Sequence, residues 1–307
     1  MIRAGMVALA LGFAFVRIAP AAAQGIDFAD QQNAPIEIYA DSGLELSQDA
    51  KTVIARGNAR AVRGRVTVTA DTLIAHYRPK AGAGAAAPTP AAAKQGLNGP
   101  TGDTSEVWRL EADGHVKIFT ATQAAYGDHG DYNIDDAVVV LTGKDLRMTT
   151  PTETVTARDS LEYWDKRQQA VARGHALAVK GEKRLAADVL VADYGQDREK
   201  RTVLRHATGF DHVVMTSPTE VATGNRGDYD PQTGIVILTG SVKLTRGENQ
   251  LDGGYAVVNL NTGISRLYPT APGATGESDQ RVRGLLVPNH QNNQGAAPPA
   301  QSPPGAQ

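Results

Sequence analysis

Apolar and polar residues alternate one by one around a series of glycines. "VIARGNARAV" (Val53 to Val62) returns closely as "AVARGHALAV" (Ala170 to Val179) and more loosely as "VILTGSVKLT" (Val236 to Thr245). Side chains of a strand point alternately to its two faces, so positions two and four residues from each glycine share one face. Around Gly57 these are Val53, Ala55, Ala59 and Ala61; around Gly114 they are Leu110, Ala112, Val116 and Ile118. Around Gly174 they are Ala170, Ala172, Ala176 and Ala178, and around Gly240 they are Val236, Leu238, Val242 and Leu244. The opposite face is polar, with Arg56, Asn58 and Arg60, then Arg109, Glu111, His115 and Lys117. Gly143 and Gly209 fit the pattern less well, because Asp145, Arg147, Arg205 and Asp211 fall on the inner positions. A register-shifting bulge would repair that.

With residues 79–104 set aside as an insertion, these glycines recur about every 31 residues, which marks a repeat architecture of about six units. A second strand signature lies between them. It reads "VTADTLIAHY" (Val68 to Tyr77), "VTARDSLEYW" (Val155 to Trp164), "LAADVLVADY" (Leu185 to Tyr194) and "LDGGYAVVNL" (Leu251 to Leu260). Turn residues separate the strands, as in "SQDAKT", "NIDDA", "DPQTG" and "NLNTG". The pattern predicts an all-β, antiparallel protein. A mid-strand glycine marks a bend or bulge, and a bend repeated at one place curves successive strand pairs around a common interior.

Two segments lack this rhythm. "PKAGAGAAAPTPAAAKQGLNGP" (Pro79 to Pro100) and the tail from Asn289 offer little large apolar surface, so both are expected to be linkers. "RVRGLLVP" (Arg281 to Pro288) precedes the tail and is apolar enough for a last short edge strand. The N-terminus opens with Arg3, continues apolar from Ala4 to Val16, and carries Ala21 and Ala23 in A-x-A positions. That is the pattern of a secretory signal peptide, residues 1–23, removed after Ala23.

Composition narrows the chemistry. The formal net charge is −2, and loss of Arg3 and Arg17 with the signal makes it more negative, so no basic excess favours nucleic acid. There is no cysteine, which excludes disulfides, thiolate nucleophiles and Cys-ligated metals. Aromatic residues make up only 5% of the chain, and the inward positions are mostly Ala and Val, which hints at space for something apolar inside. "YGDHGDY" (Tyr126 to Tyr132) holds Asp128, His129 and Asp131, which are metal-ligand types, but the equivalent "TGNRGDY" has no His. No catalytic motif, metal site or cofactor motif is predicted.

The stretch "IEIYADSGLELSQDAKTVIARGNARAVRGRVTVTADTLIAHY" (Ile36 to Tyr77) resembles the OstA-like/LptA family of lipopolysaccharide transport. It shares an A-D before an apolar strand, a D/N-rich turn, a Gly-Asn strand, and a strand ending in A-D-x-L-x-x-Y. The later units repeat the pattern, most of all Ala222 to Leu267. The resemblance implies a twisted antiparallel β-jellyroll over residues 24–288, with a disordered insertion at 79–104 and a disordered tail at 289–307. It implies a periplasmic bridge protein whose apolar groove holds the acyl chains of lipid A. Partners would be LptC-like inner-membrane and LptD-like outer-membrane jellyrolls, with homo-oligomers formed by strand addition. The candidate groove residues are Val53, Leu73, Leu110, Val116, Ile118, Leu141, Val189, Val191, Val236, Leu238, Val242 and Leu244. Two other readings stay open. One is a carbohydrate-active β-solenoid enzyme, which needs two carboxylates on one face at catalytic separation. Asp71, Asp159 and Asp188 recur at strand starts but read as turn or cap positions. The other is a purely structural envelope scaffold.

Overall fold

A computed structural model describes residues 36–80, 105–199, 201–272 and 281–287. The expected signal peptide, most of the 79–104 insertion and the tail from Asn289 lie outside the described residues. The described chain is strand throughout, apart from turns and a single 3₁₀ turn at Asp165–Arg167. The strands are β1 (Glu37–Tyr39), β2 (Gly43–Ser47), β3 (Thr52–Arg63), β4 (Val66–Pro79), β5 (Ser105–Phe119) and β6 (Ala124–Asn133). They continue as β7 (Val138–Thr142), β8 (Arg147–Thr149), β9 (Thr154–Thr156), β10 (Ser160–Trp164), β11 (Gln169–Lys180) and β12 (Lys183–Gln196). The last are β13 (Thr202–Thr216), β14 (Val221–Asp230), β15 (Ile235–Arg246), β16 (Asn249–Asn259), β17 (Ile264–Tyr268) and β18 (Arg283–Leu285).

The connectivity is a meander, every pairing antiparallel. The long strands β3 to β6 and β11 to β16 each pair with the next. The short strands act in twos, as halves of one interrupted strand. β1 and β2 both lie on β3, β7 and β8 on β6, β9 and β10 on β11, and β17 and β18 on β16. Three two-residue turns, after Arg63, Lys180 and Arg246, begin with Gly64, Gly181 and Gly247 at φ between +55° and +58°. Such tight turns match the twist of the strands they join. Longer turns use Asp and Asn side chains instead: Asp230 accepts from the Gln232 N–H at 2.8 Å and Asn259 from the Asn261 N–H at 2.9 Å.

Each long strand pair slips register at mid-strand. Arg56 and Ala59, three apart on β3, face Thr72 and Ala70, two apart on β4. Arg173 and Ala176 on β11 likewise face Val189 and Ala187 on β12. The bulge consists of two consecutive residues with positive φ. The pairs are Gly57-Asn58, Gly114-His115, Gly174-His175, Asp211-His212 and Gly240-Ser241, while Gly143 and Asp145 do the same between β7 and β8. Here two expectations are corrected. Gly209 is not the bulge residue of its unit; Asp211 and His212 are, because short polar side chains also tolerate the left-handed region. Of the recurring Asp71, Asp159 and Asp188, the first and last lie inside β4 and β12 rather than at turns, while Asp159 sits in the bend before β10; all three stand across from the bulges. His115 Nδ1 lies 2.9 Å from Asp71, and His212 Nδ1 lies 2.8 Å from Asp188. These hydrogen bonds hold both histidines above their ordinary pKa. The linker boundary also moves: Pro79 ends β4 opposite Ser105, where a strand end tolerates the missing N–H.

The bulges keep one face inward along the whole sheet. One inner row runs Leu44, Ala55, Leu73, Ala112, Gly130 and Leu141, then continues through Leu161, Ala172, Leu190, Gly209, Gly227, Leu238 and Ala256. Two apolar clusters result. One centres on Leu73, Val116, Leu141 and Leu146, the other on Leu190, Val213, Leu238 and Val242, and Leu161 packs against both. The expected last edge strand is present as β18.

Gly174 and Gly240 bear on this account differently. At Gly174 φ is +82°, but only the mobile carboxylate of Asp159 lies close; at Gly240, φ +76°, a Cβ would sit 2.9 Å from the Asn225 Cβ, which side-chain rotation does not move. Gly181, at φ +57°, has nothing within 4 Å of the same position. Gly181→Ala should cost about 1 kcal/mol for the backbone conformation alone, and Gly240→Ala about 2–4 kcal/mol because the clash adds to it. Urea unfolding of the two variants checks this. Equal losses would show that the bulge does not depend on the close approach.

Candidate functional site

Between the inner faces lies a cavity of about 410 Å³. Its middle is apolar, with Ile118, Leu141, Leu161, Leu190, Val236 and Leu238 in the wall. The space exists because the inner rows of the second half mix large and small residues. Ala172, Ala178, Ala192, Ala207 and Gly227 share the wall with Leu190 and Leu238, so no side chain reaches across everywhere. In the first half larger side chains close the same gap. Ile38, Val68, Leu73, Leu110 and Tyr132 leave about 50 Å³.

The two ends of the large cavity differ. Tyr163, Tyr194 and Tyr229 line one end, and burial pushes the Tyr194 hydroxyl up to about 12 and raises that of Tyr229. Glu153, Lys180, Lys183, Arg184, Ser217 and Glu220 line the other. The carboxylates in the wall are all engaged. Glu153 pairs with Lys180 at 2.6 Å, Glu162 with Arg173 at 2.7 Å and Glu220 with Arg246 at 2.7 Å. Hydrogen bonds from Arg173, Trp164 and Ser160 outweigh burial and keep Glu162 below the usual carboxylate range. A general acid needs the opposite shift.

The predicted residues divide into groups. Ile118, Leu141, Val236 and Leu238 line the large cavity, and Leu73, Leu110 and Ile118 the small one. Val116, Val242 and Leu244 are buried in the packed cores beside them. Val53 packs with Ala75 and Tyr77 in a separate small cluster. Val189 is a correction: it pairs with Arg173 and Phe210 and faces outward. Ala187 and Leu190 face inward three residues apart, so the alternation in β12 reverses where Asp188 lies opposite the bulges of the two neighbouring strands, Gly174-His175 and Asp211-His212. Val191 is in the cavity wall, yet it carries the outer parity of its partners Val171 and Thr208. Leu190, Leu161, Leu185 and Met215 are wall residues that the alternation alone did not single out.

The "YGDHGDY" segment forms most of β6. Asp128 accepts from the Lys144 N–H at 2.7 Å, and His129 lies 2.6 Å from Asp113. Among the described residues no group of three or more His, Asp or Glu is arranged to hold a metal. Asp71, Asp159 and Asp188 line neither cavity.

The family described as "LptA/(LptD N-terminal domain) LPS transport protein" matches residues 37–159 and 154–264, well over half of the chain. The chain belongs to this family. Its members are lipopolysaccharide transport proteins rather than enzymes. An uncharacterized protein of Rhizobium meliloti (strain 1021) is 28% identical over 121 residues, 39% of this chain. The chain spans about half the length of that curated relative, 55%. Among solved structures, LptH, the LptA homologous periplasmic component of the lipopolysaccharide transport device of Pseudomonas aeruginosa, is similar at a TM-score of 0.38 and 22% identity. The match covers 44% of this chain and 95% of LptH.

The inward and outward assignments within this LptA/LptD-type sheet separate by stability. Leu238 is fully buried in the cavity wall. Leu238→Ala should cost about 2–5 kcal/mol, as large-to-small core changes do. Val189→Ala on the outer face should cost less than about 1 kcal/mol. Denaturant midpoints measure both, and a larger loss at Val189 would reverse the assignment of faces in β12.

Proposed function

We propose that the protein carries lipopolysaccharide through the periplasm, holding the acyl chains of lipid A in the cavity of about 410 Å³. The observation that carries this reading is the continuous apolar inner face around that space. Acyl chains need no chemistry from their host, only dry surface: each buried methylene contributes about 0.8 kcal/mol. Pockets for small molecules span roughly 300–1,000 Å³, so the cavity is large enough to hold part of such a lipid. Residues 1–23 act on this reading as a removed export signal, and residues 24–288 as the transport unit.

Assembly with neighbours belongs to the same proposal. Among the described residues β2 pairs only with β3, and it exposes Leu44 and Leu46. At the other end β17 and β18 pair, among the described residues, only with β16 and expose Ile264, Tyr268 and Leu285. Free strand edges with apolar side chains are templates for strand addition, and head-to-tail addition continues into filaments. An LptC-like jellyroll at the inner membrane and an LptD-like one at the outer membrane would cap the series.

A photo-crosslinking residue tests the ligand. Leu185 lines the cavity, whereas Lys243 is exposed between the inward Val242 and Leu244. Replacement at Leu185 should label lipopolysaccharide and replacement at Lys243 should not. Equal labelling, or none from Leu185 in a folded protein, would favour the structural scaffold instead.

A further inference from the structure

We propose that Lys183 and Arg184 form a subsite for the anionic head group of an amphiphile whose chains occupy the cavity. This rests on the acyl-chain reading above and adds the orientation of the ligand. The charge pairing of the cavity wall carries it. Among the wall residues, Glu153 is matched by Lys180, Glu162 by Arg173 and Glu220 by Arg246. Lys183 and Arg184 also belong to the wall, are exposed, and make no ion pair or hydrogen bond among the described residues. Two unmatched cations therefore stand at one end of an apolar cavity, in a chain whose net charge is −2.

The register explains their position. Ala178 and Leu185 are paired inward-facing residues, and the next inward pair along β11 and β12 is Lys180 with Lys183. Arg184 pairs with Val179 and Thr216 on the other face and flanks the same rim. Glu182, on the turn between the strands, is exposed and is not part of the wall. At the opposite end Tyr163, Tyr194, Tyr229, Leu204 and Leu260 bring no charge to the wall. The cavity is thus polarised along its length. A ligand with acyl chains and a phosphate or carboxylate head would lie with its chains toward the tyrosines and its head at the β11–β12 hairpin. Charge-assisted contacts to such a head are stronger than neutral ones, and salt screens them at this exposed rim.

The test compares the full chain with its K183A/R184A variant, whose substitutions remove no ion pair or hydrogen bond among the described residues. Three probes are titrated at low salt: lipopolysaccharide, the anionic lysophosphatidylglycerol and the uncharged dodecyl maltoside. The expected result is a loss on the order of tenfold for the anionic probes, shrinking at high salt, with the maltoside unchanged. A loss confined to lipopolysaccharide supports a subsite for that head group in particular. A loss for both anionic probes supports a general anionic-head subsite. Unchanged affinity for the anionic probes, or an equal loss for all three, overturns the subsite while leaving the apolar cavity as binding site. Failure of the unaltered protein to bind any probe overturns the acyl-chain reading, and the subsite with it.

Discussion

Everything in this sheet depends on pairs of residues held in the left-handed backbone region at mid-strand. An uninterrupted antiparallel strand of 12 to 15 residues, the length of β3, β4, β5 and β11 to β13, could run on as a twisted ribbon. Gly57-Asn58, Gly114-His115, Gly174-His175, Asp211-His212 and Gly240-Ser241 prevent that by inserting an extra residue and bending the strand there. The neighbouring strand meets each bend closely. Ser42, Asp71, Asp159 and Asn225 come so near the four corresponding glycines that a Cβ would overlap them. Left-handed backbone explains glycine at the first position of these pairs, and the close approach explains why alanine would be worse still.

The bends turn one face of a meander inward, and side-chain volume then decides what the interior becomes. In the first half, Leu73, Leu110, Tyr132 and Leu146 meet and leave little space. In the second half, Ala172, Ala178, Ala192, Ala207 and Gly227 line the wall without reaching across, and the gap between them stays open and apolar. The same backbone plan thus yields a packed half and a hollow half. Charge follows the same logic: carboxylates of the hollow half's wall carry cation partners, and the unmatched cations gather at one rim.

Much of this was legible in the sequence. Alternation around Gly57, Gly114 and Gly240 identified inward residues that the structure buries, among them Ala55, Val116 and Leu238. The turns were legible because Asp, Asn and Gly have few other reasons to cluster. The parts that were not legible share one cause. "LAADVLVADY" is apolar at successive positions, so alternation alone cannot say which residues face inward, and Val189 was placed where Leu190 belongs. The decisive signal is Asp188, which marks the register shift only once its partner across the sheet is known. Gly209 misled for a related reason. It lies at a spacing matching the other glycines, but the backbone there needed only a residue that tolerates positive φ, and Asp211-His212 supplies it two positions later. The cavity could only be hinted at, since its size depends on which small residues meet across strands distant in sequence.

The central claim is that the bent inner face, and not the outer one, receives apolar chains. Methyl resonances of Leu190, Val236 and Leu238 on the inner face, and of Val189 and Ile74 on the outer, report this directly. Addition of a fatty acid carrying a nitroxide on its acyl chain should broaden the first three and spare the other two. Broadening of Val189 and Ile74 first, or uniform broadening of all five, would contradict the account.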